Sequence, residues 1–230
     1  MSWRIPLGVA VVAALAQNSW ALETFVAERS DPLHVWISDL GARDEATGAL
    51  FNVLDSAGGV AIVALAALFV PAGRAAGMLA LAGVVALALS GVGTVLDGVL
   101  SLDCSKDLDP ACSAKLAREG ASFRAQAHEV ESTITGWLTV AGFALMGLGF
   151  GGRIRTASVV CGGAWVALYA VAVAFWAWAG DGDDLKGLFQ RAGQVAYGAW
   201  LIWIAAGLRR PLATSSGGAV SSTNAPAMKA

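Results

Sequence analysis

Two neighbouring apolar segments carry ionisable and hydroxyl side chains at helical spacing. They are Ser90, Thr94, Asp97 and Ser101 at the end of the first segment, and His128, Glu131 and Thr135 at the beginning of the second. Spacings of three and four place each set on one helical face. Ionisable groups within membrane-spanning segments are costly, usually face the bundle interior, and mark candidate functional sites.

The composition predicts the elements that hold these residues. The chain has 230 residues, of which 57% are hydrophobic and 14% charged, and its mean hydropathy is +0.64. Soluble domains carry about 25% charged residues. Six long apolar runs predict an all-α polytopic membrane protein, a bundle of six transmembrane helices. The predicted spans are about 5–26, 52–70, 76–99, 130–150, 157–179 and 188–208.

The chain is predicted to form one transmembrane bundle over residues 1–210 and a disordered cytoplasmic tail over 211–230, which is rich in Ser, Gly, Ala and Thr. The first apolar run has two interpretations. Arg4 followed by an apolar stretch and Ser19-Trp20-Ala21 resembles a cleavable signal peptide. We favour an uncleaved first span, because the apolar character continues through Val26 and gives a crossing length.

Basic and acidic residues are distributed unevenly between the two predicted sides. With six alternating spans, one side holds seven basic residues and no acidic ones, while all seventeen acidic residues fall on or near the other side. Short loops rich in Lys and Arg stay cytoplasmic. Both termini are therefore predicted to be cytoplasmic, in the inner membrane of a bacterial cell. The seven are Arg4, Arg74, Arg153, Arg155, Arg209, Arg210 and Lys229.

Cys104 and Cys112 share one predicted outward loop, with a turn at Asp109-Pro110 between them. Disulfides persist in oxidising compartments, so we expect the two cysteines to form one. The alternative is a pair of thiolate metal ligands.

Polar side chains from several helices are predicted to line one outward-facing pocket. Arg191 is expected to pair with Asp55 or Asp97, because a buried charge needs a partner. The remaining negative charge would favour a cationic or metal-bearing ligand, and its binding should weaken as pH falls. The alternative is that these are ordinary helix-end residues joined by salt bridges. The pocket residues are Asn52, Asp55, Asp97, Asp103, His128, Glu131 and Arg191.

A divalent metal is the one cofactor that the sequence raises. His34, His128 and Asp103 could supply two nitrogens and one oxygen to a zinc ion, although their spacing gives this no support. No His-Glu-x-x-His, Gly-x-Ser-x-Gly or glycine-rich phosphate motif is present. Catalytic residues are therefore not assigned, and whether the protein is an enzyme stays open.

Several short patterns resemble the "domain of unknown function 998" family of bacterial and archaeal integral membrane proteins. The resemblance extends to about Arg210 and implies six transmembrane helices; the family supplies no activity. The patterns are Ile37-Ser38-Asp39-Leu40-Gly41, Phe51-Asn52, an Asp and a His flanking the outer loop (Asp103 and His128), and Gly187-Leu188-Phe189-Gln190-Arg191 with Trp200 downstream.

Three classes of function fit these observations. A ligand-binding, sensing or accessory membrane protein needs only the pocket, and we favour it. An intramembrane metal-dependent lipid hydrolase would need a metal or an acid–base pair such as His128 with Asp103 or Asp97. A small-solute or cation transporter would need polar groups near the midplane, where this sequence is apolar. The expected partners are the lipid bilayer and a small-molecule, lipid or cation ligand, with no nucleic acid.

Overall fold

The described part of the chain folds into helices joined by short turns and loops. The structure, a computed structural model, describes residues 4–28, 30–178 and 185–208, and these ranges contain no β-strand. The helices are α1 (Arg4–Gln17), α2 (Glu23–Val26), α3 (Gly48–Ala76), α4 (Met78–Val99), α5 (Pro110–Glu119), α6 (Phe123–Phe150), α7 (Gly152–Ala157), α8 (Gly163–Trp178) and α9 (Lys186–Gly207). Two 3₁₀ turns, Ser19–Leu22 and Ile37–Gly41, and a π-helical turn, Ser158–Gly162, complete them. The predicted tail, 211–230, lies outside the described residues.

Four helical segments are long and apolar enough to cross a membrane: α3, α4, α6, and α7 with α8 as one run. Helix α1 with the segment 19–26 makes a fifth if that bent pair is one span. Many large apolar side chains on these helices are exposed, which is expected where lipid replaces water. The prediction of an all-helical, multi-pass membrane protein is confirmed at this level, with four or five candidate spans.

The first predicted span is not one straight helix. Helix α1 ends at Gln17, and the segment Ser19–Val26 is bent from it by 53°. Asn18 lies at the break and donates from Nδ2 to the carbonyl of Ala14, at 2.8 Å, and to that of Gln194, at 3.3 Å. The amide side chain therefore fastens the end of α1 to α9.

Other boundaries also differ from the sequence prediction. Helix α3 continues past Pro71 to Ala76, and the turn comes at Gly77, whose φ of 112° favours glycine. Helix α6 begins at Phe123 rather than near 130, because the Ser122 side chain caps it by accepting from the amide of Ala125. The added first turns bring His128 inside the helix.

Neighbouring helices form a closed antiparallel ring. Helix α1 packs on α3, α3 on α4, α4 on α6, α6 on α7 and the π-helical turn, α8 on α9, and α9 on α1. The close approach of α3 to α4 depends on glycine. A Cβ on Gly59 of α3 would lie 2.5 Å from the carbonyl oxygen of Gly91 on α4. Small residues let helices approach closely in lipid, and they set the spacing of this pair.

The centre of the ring is an aromatic cluster. Phe143 of α6 contacts Trp200 of α9 edge-on, with ring centroids 4.6 Å apart, and Tyr197 stacks on Trp200 at 5.9 Å. The Trp200 indole donates to the Ser158 hydroxyl at 3.1 Å, so its polar edge is satisfied within the core. This core fixes the helices on which the polar residues lie.

Candidate functional site

Ionisable side chains gather near one end of the ring, which we call the acidic end: the end where α3, α6 and α9 begin and α4 and α8 finish. Asp97 lies two residues before the end of α4, whereas His128 and Glu131 lie in the second and third turns of α6. Asp55 lies in the third turn of α3, about 10 Å along the helix from its first residue.

Asp97 is the centre of this group. Its Oδ1 lies 3.0 Å from Nδ1 of His128 and accepts a 2.7 Å hydrogen bond from the hydroxyl of Ser132. His128 is only 6% exposed, and its Nδ1 is not aligned for a hydrogen bond with any described residue. The contact is therefore an ion pair when the imidazole is protonated, and it joins α4 to α6.

Glu131 extends the group along the α4–α6 seam. One carboxylate oxygen accepts from the Thr135 hydroxyl, while Oε2 is buried without a hydrogen-bond partner among the described residues. Glu131 and Asp97 lie within interacting distance of each other. Gly93 of α4 makes room, since a Cβ there would lie 2.7 Å from Oε1 of Glu131.

Asp55 and Tyr169 complete the convergence. Asp55 is partly buried, interacts electrostatically with Asp97, and makes no hydrogen bond within the described part of the chain. The Tyr169 hydroxyl accepts from Nε2 of Gln194 at 3.0 Å and is close enough to both aspartates to feel their charge. Side chains of α3, α4, α6, α8 and α9 thus meet in one polar layer.

Arg191 does not pair with Asp55 or Asp97, and that prediction is wrong. Its Nε and Nη2 donate to the two carboxylate oxygens of Glu23 at 2.7 and 2.6 Å. Nη1 donates to the carbonyl of Val35 at 2.7 Å, and the guanidinium lies 5.8 Å from the Trp20 ring. Arg191 is 3% exposed and Glu23 is 1% exposed.

The bend after α1 is the physical reason for this difference. It turns the segment 19–26 away from the axis of α1, and Glu23 in this segment contacts the first half of α9. A bidentate carboxylate satisfies the planar guanidinium better than a single contact. Because Glu23 neutralises Arg191, the carboxylates of the polar layer are left without that cation.

Two other predicted pocket residues, Asn52 and Asp103, form hydrogen bonds with residues in neighbouring loops. Asn52 donates from Nδ2 to the carbonyl of Gly41 at 3.0 Å. Asp103 accepts from both the amide and the hydroxyl of Ser122, each at 2.7 Å. These hydrogen bonds lower the pKa of Asp103 below its usual value. The structure gives both residues loop-fastening contacts and, among the described residues, shows no hydrogen bond between them and the polar layer.

The three residues predicted to bind a metal ion each have a separate environment. Nδ1 of His34 lies 2.8 Å from Asp31, whose pKa is lowered chiefly by the hydrogen bond from this imidazole. His128 contacts Asp97, and Asp103 contacts Ser122. Within the described residues, no group of three or more His, Cys, Asp or Glu side chains is arranged to hold a metal ion.

The Cys104–Cys112 disulfide is present, as predicted, with a Cα–Cα distance of 5.8 Å. The loop that it closes is fastened to its neighbours. The Ser105 amide donates to Asp44 at 3.3 Å, and Nζ of Lys186 lies 3.2 Å from the carboxylate of Asp107. The loop therefore bridges the segment before α3 and the beginning of α9.

Asp39 has a buried carboxyl group close to Ser105 and Asp107 of this loop, and it is not among the site residues predicted from the sequence. Burial raises its pKa to about 7, and the nearby Asp107 charge acts in the same direction. Ser105 and Lys186 oppose the shift by favouring the carboxylate. The signal in the sequence was a single acid in a short segment bounded by the apolar residues Ile37 and Leu40.

The sequence of this chain matches one family of known proteins. The chain matches the family described as "Protein of unknown function (DUF998)" over residues 8–207. It belongs to this family. The match covers most of the chain and confirms the resemblance found in the short sequence patterns. No curated protein and no solved structure matched the chain.

Proposed function

We propose that this member of the DUF998 family is a ligand-binding, sensing or accessory membrane protein whose polar layer binds a cationic group. The convergence of Asp97 and Glu131 on the seam between α4 and α6 carries the proposal. Asp97 lies 3.0 Å from His128 and accepts from Ser132, the neighbour of Glu131, while Oε2 of Glu131 is buried without a hydrogen-bond partner among the described residues. Two carboxyl groups side by side are favourable only when a proton or a cation lies between them. In a membrane bundle that need is stronger, because water screens the charges less.

The charge of the layer supports the same conclusion. Asp55, Asp97 and Glu131 contribute three carboxyl groups against one imidazole, His128. Arg191 is occupied by Glu23 and cannot neutralise them. A ligand with a positive charge would supply the missing cation, and the Tyr169 hydroxyl is near enough to help orient it.

The topology that accompanies this proposal has six crossings, with α1 together with segment 19–26 as the first and α9 as the last. The acidic end would face outward and both termini would be cytoplasmic, in the bacterial inner membrane. The support is the asymmetry of Lys and Arg between the two ends, together with the disulfide in the loop at the acidic end.

An intramembrane metal-dependent lipid hydrolase is the weaker interpretation of these residues. It would need a metal or an acid–base pair such as His128 with Asp103 or Asp97. His128 lies 3.0 Å from Asp97, but the same carboxylate oxygen accepts from the Ser132 hydroxyl, and Asp103 is held by Ser122. The arrangement suits the holding of charge better than acid–base catalysis.

A thermal-shift titration tests the cation site. The full chain, purified in a neutral detergent, is titrated with n-butylammonium chloride, and n-butanol and sodium chloride serve as controls. A ligand at ten times its Kd stabilises the folded state by about 1.4 kcal/mol, so the melting temperature should rise measurably. Neither control should raise it equally.

Matched variants assign the effect to the layer. Glu131→Gln should abolish the butylammonium shift, whereas Glu129→Gln, two residues away and exposed, should retain it. Titration at lower pH should weaken binding, because protonation removes the carboxylate charge. Equal shifts in all three proteins, or no shift in the wild type, would contradict the proposal.

A further inference from the structure

A lateral groove opens beside Glu131, on the outside of the ring. It lies along the seam between the last half of α4 and the first half of α6 and has a volume of about 650 Å³. Its walls run from Leu89 to Leu100 on α4 and from Phe123 to Leu138 on α6. This length of eleven residues corresponds to about 17 Å along the helix axis. The hydrocarbon layer of one membrane leaflet is about 15 Å thick, so the groove spans about one leaflet.

The walls of the groove are apolar and face outward from the bundle. Val92 on α4, and Val130 and Ile134 on α6, are each about half exposed. No Lys or Arg is among the described residues that line it. In a bilayer such a surface meets hydrocarbon, so an alkyl chain fits it better than a polar solute does.

One ionisable group lies on this apolar surface. Glu131 lines the groove near the middle of its length, beside Thr135. Its Oε2 is buried and has no hydrogen-bond partner among the described residues. The next residue along α6, Ser132, donates to Asp97 in the polar layer at 2.7 Å. The lipid-facing groove therefore adjoins the polar layer at Glu131 and Ser132.

We propose that the groove binds a single-chain cationic amphiphile, a long-chain amine, which enters sideways from the bilayer. Its ammonium group would lie at Glu131 and its chain along the α4–α6 seam. Charge complementarity selects this occupant, because a phospholipid would bring a phosphate toward Glu131 and Asp97. The inference rests on the proposed cation site and names the chemical class and the entry route of its ligand.

Photo-cross-linking in phosphatidylcholine nanodiscs tests the groove separately from the polar layer. The full chain is incubated with dodecylamine that carries a diazirine on its chain, or with the matching diazirine dodecanol, then irradiated and mapped by mass spectrometry. The amine should label the α4–α6 walls about tenfold more than other lipid-facing helices, the effect expected for one charge-assisted hydrogen bond. The alcohol should label all lipid-facing surfaces alike.

Variants locate the binding determinants. Glu131→Gln should remove the preference of the amine for the groove, and Glu129→Gln should keep it. Val92→Trp should fill the groove and remove the preference, whereas Val60→Trp places the same ring on an exposed face of α3 outside the groove. Ile134→Trp repeats the test from α6 if Val92→Trp lowers the melting temperature.

Each outcome decides between the two proposals. Uniform labelling by the amine, with the butylammonium shift intact, would overturn the groove and leave the cation site standing. Uniform labelling without that shift would overturn both. Preferential labelling that persists in Glu131→Gln, or that the alcohol shares, would show that charge does not select the ligand and would also overturn the proposal.

Discussion

Removal of Glu23 tests whether its pairing with Arg191 holds the first segment on the bundle. The variant Glu23→Leu takes away both carboxylate acceptors, at 2.7 and 2.6 Å, and leaves a guanidinium that is 3% exposed. Breaking a buried ion pair by removing one partner costs about 3–5 kcal/mol, because the other charge stays buried without compensation. The carbonyls of Val35 and Gly187 still accept from Nη1, so we expect the lower part of that range.

The assay is a double-mutant cycle of unfolding in detergent. Glu23→Leu, Arg191→Met and the double variant are unfolded by titration with a denaturing detergent and followed by circular dichroism. The double variant should lose less free energy of unfolding than the sum of the single variants, since it leaves no unpaired charge. Glu129→Gln, an exposed change, should stay within about 0.5 kcal/mol of the wild type.

Two results would refute this reasoning. If Glu23→Leu costs less than about 1 kcal/mol, the pair behaves as an exposed salt bridge and the segment 19–26 does not depend on it. If the single effects add without coupling, the two side chains act on stability independently, and the bidentate contact does not explain the position of the bent segment.

Three further predictions concern the loop and the seam. Cys104→Ser should lower the free energy of unfolding by about 2–3 kcal/mol, measured by denaturation with and without reductant. The pKa of Asp39 rises from 3.8 to about 7 on folding, so this group adds to the free energy of unfolding. Its contribution is fully present below pH 4 and is lost as pH rises through 7. Asp39→Asn should therefore flatten the pH dependence of melting curves recorded from about pH 4 to 8. Gly93→Ala should cost about 1–3 kcal/mol in thermal unfolding, because its Cβ would clash with the hydroxyl oxygen of Thr135 and lie 2.7 Å from Oε1 of Glu131. Gly163→Ala, with open space around it, should cost nothing.

The outcomes that would contradict these three predictions are distinct. An unchanged unfolding midpoint for Cys104→Ser would mean that the loop is ordered without its cross-link. A pH dependence that survives in Asp39→Asn would belong to another group. Equal costs for the two glycine substitutions would mean that the α4–α6 seam adjusts around a methyl group.

The length and composition of the apolar runs made the all-helical, multi-pass architecture predictable. Long hydrophobic runs specify membrane helices almost independently of their neighbours, since the backbone must satisfy its own hydrogen bonds in lipid. The spacing of Asp97, His128 and Glu131 predicts one shared face. In the structure His128 lies 3.0 Å from Asp97, and Glu131 also lines the outward groove. The Cys104–Cys112 bridge followed from their presence in one loop.

The pairings across long distances were not predictable in the same way. Glu23 and Arg191 are 168 positions apart, and the chain bends at Asn18 between α1 and the segment that holds Glu23. The Asn18 side chain donates both to Ala14 in its own helix and to Gln194 of α9, and helical spacing alone does not show the second of these partners. Asn52 and Asp103 show the same limit, because helical spacing gives the direction of a side chain but not which loop carbonyl or hydroxyl lies opposite it.

The contact between Glu23 and Arg191 also sets an order of events during synthesis. The carboxylate leaves the ribosome 168 residues before its partner. At about 5–20 residues per second, the interval is about 8–34 seconds. During that time the bent segment has no guanidinium to hold it, and the Val35 carbonyl lacks its donor. The bent segment can therefore make its contact with Arg191 only after α9 has been synthesised.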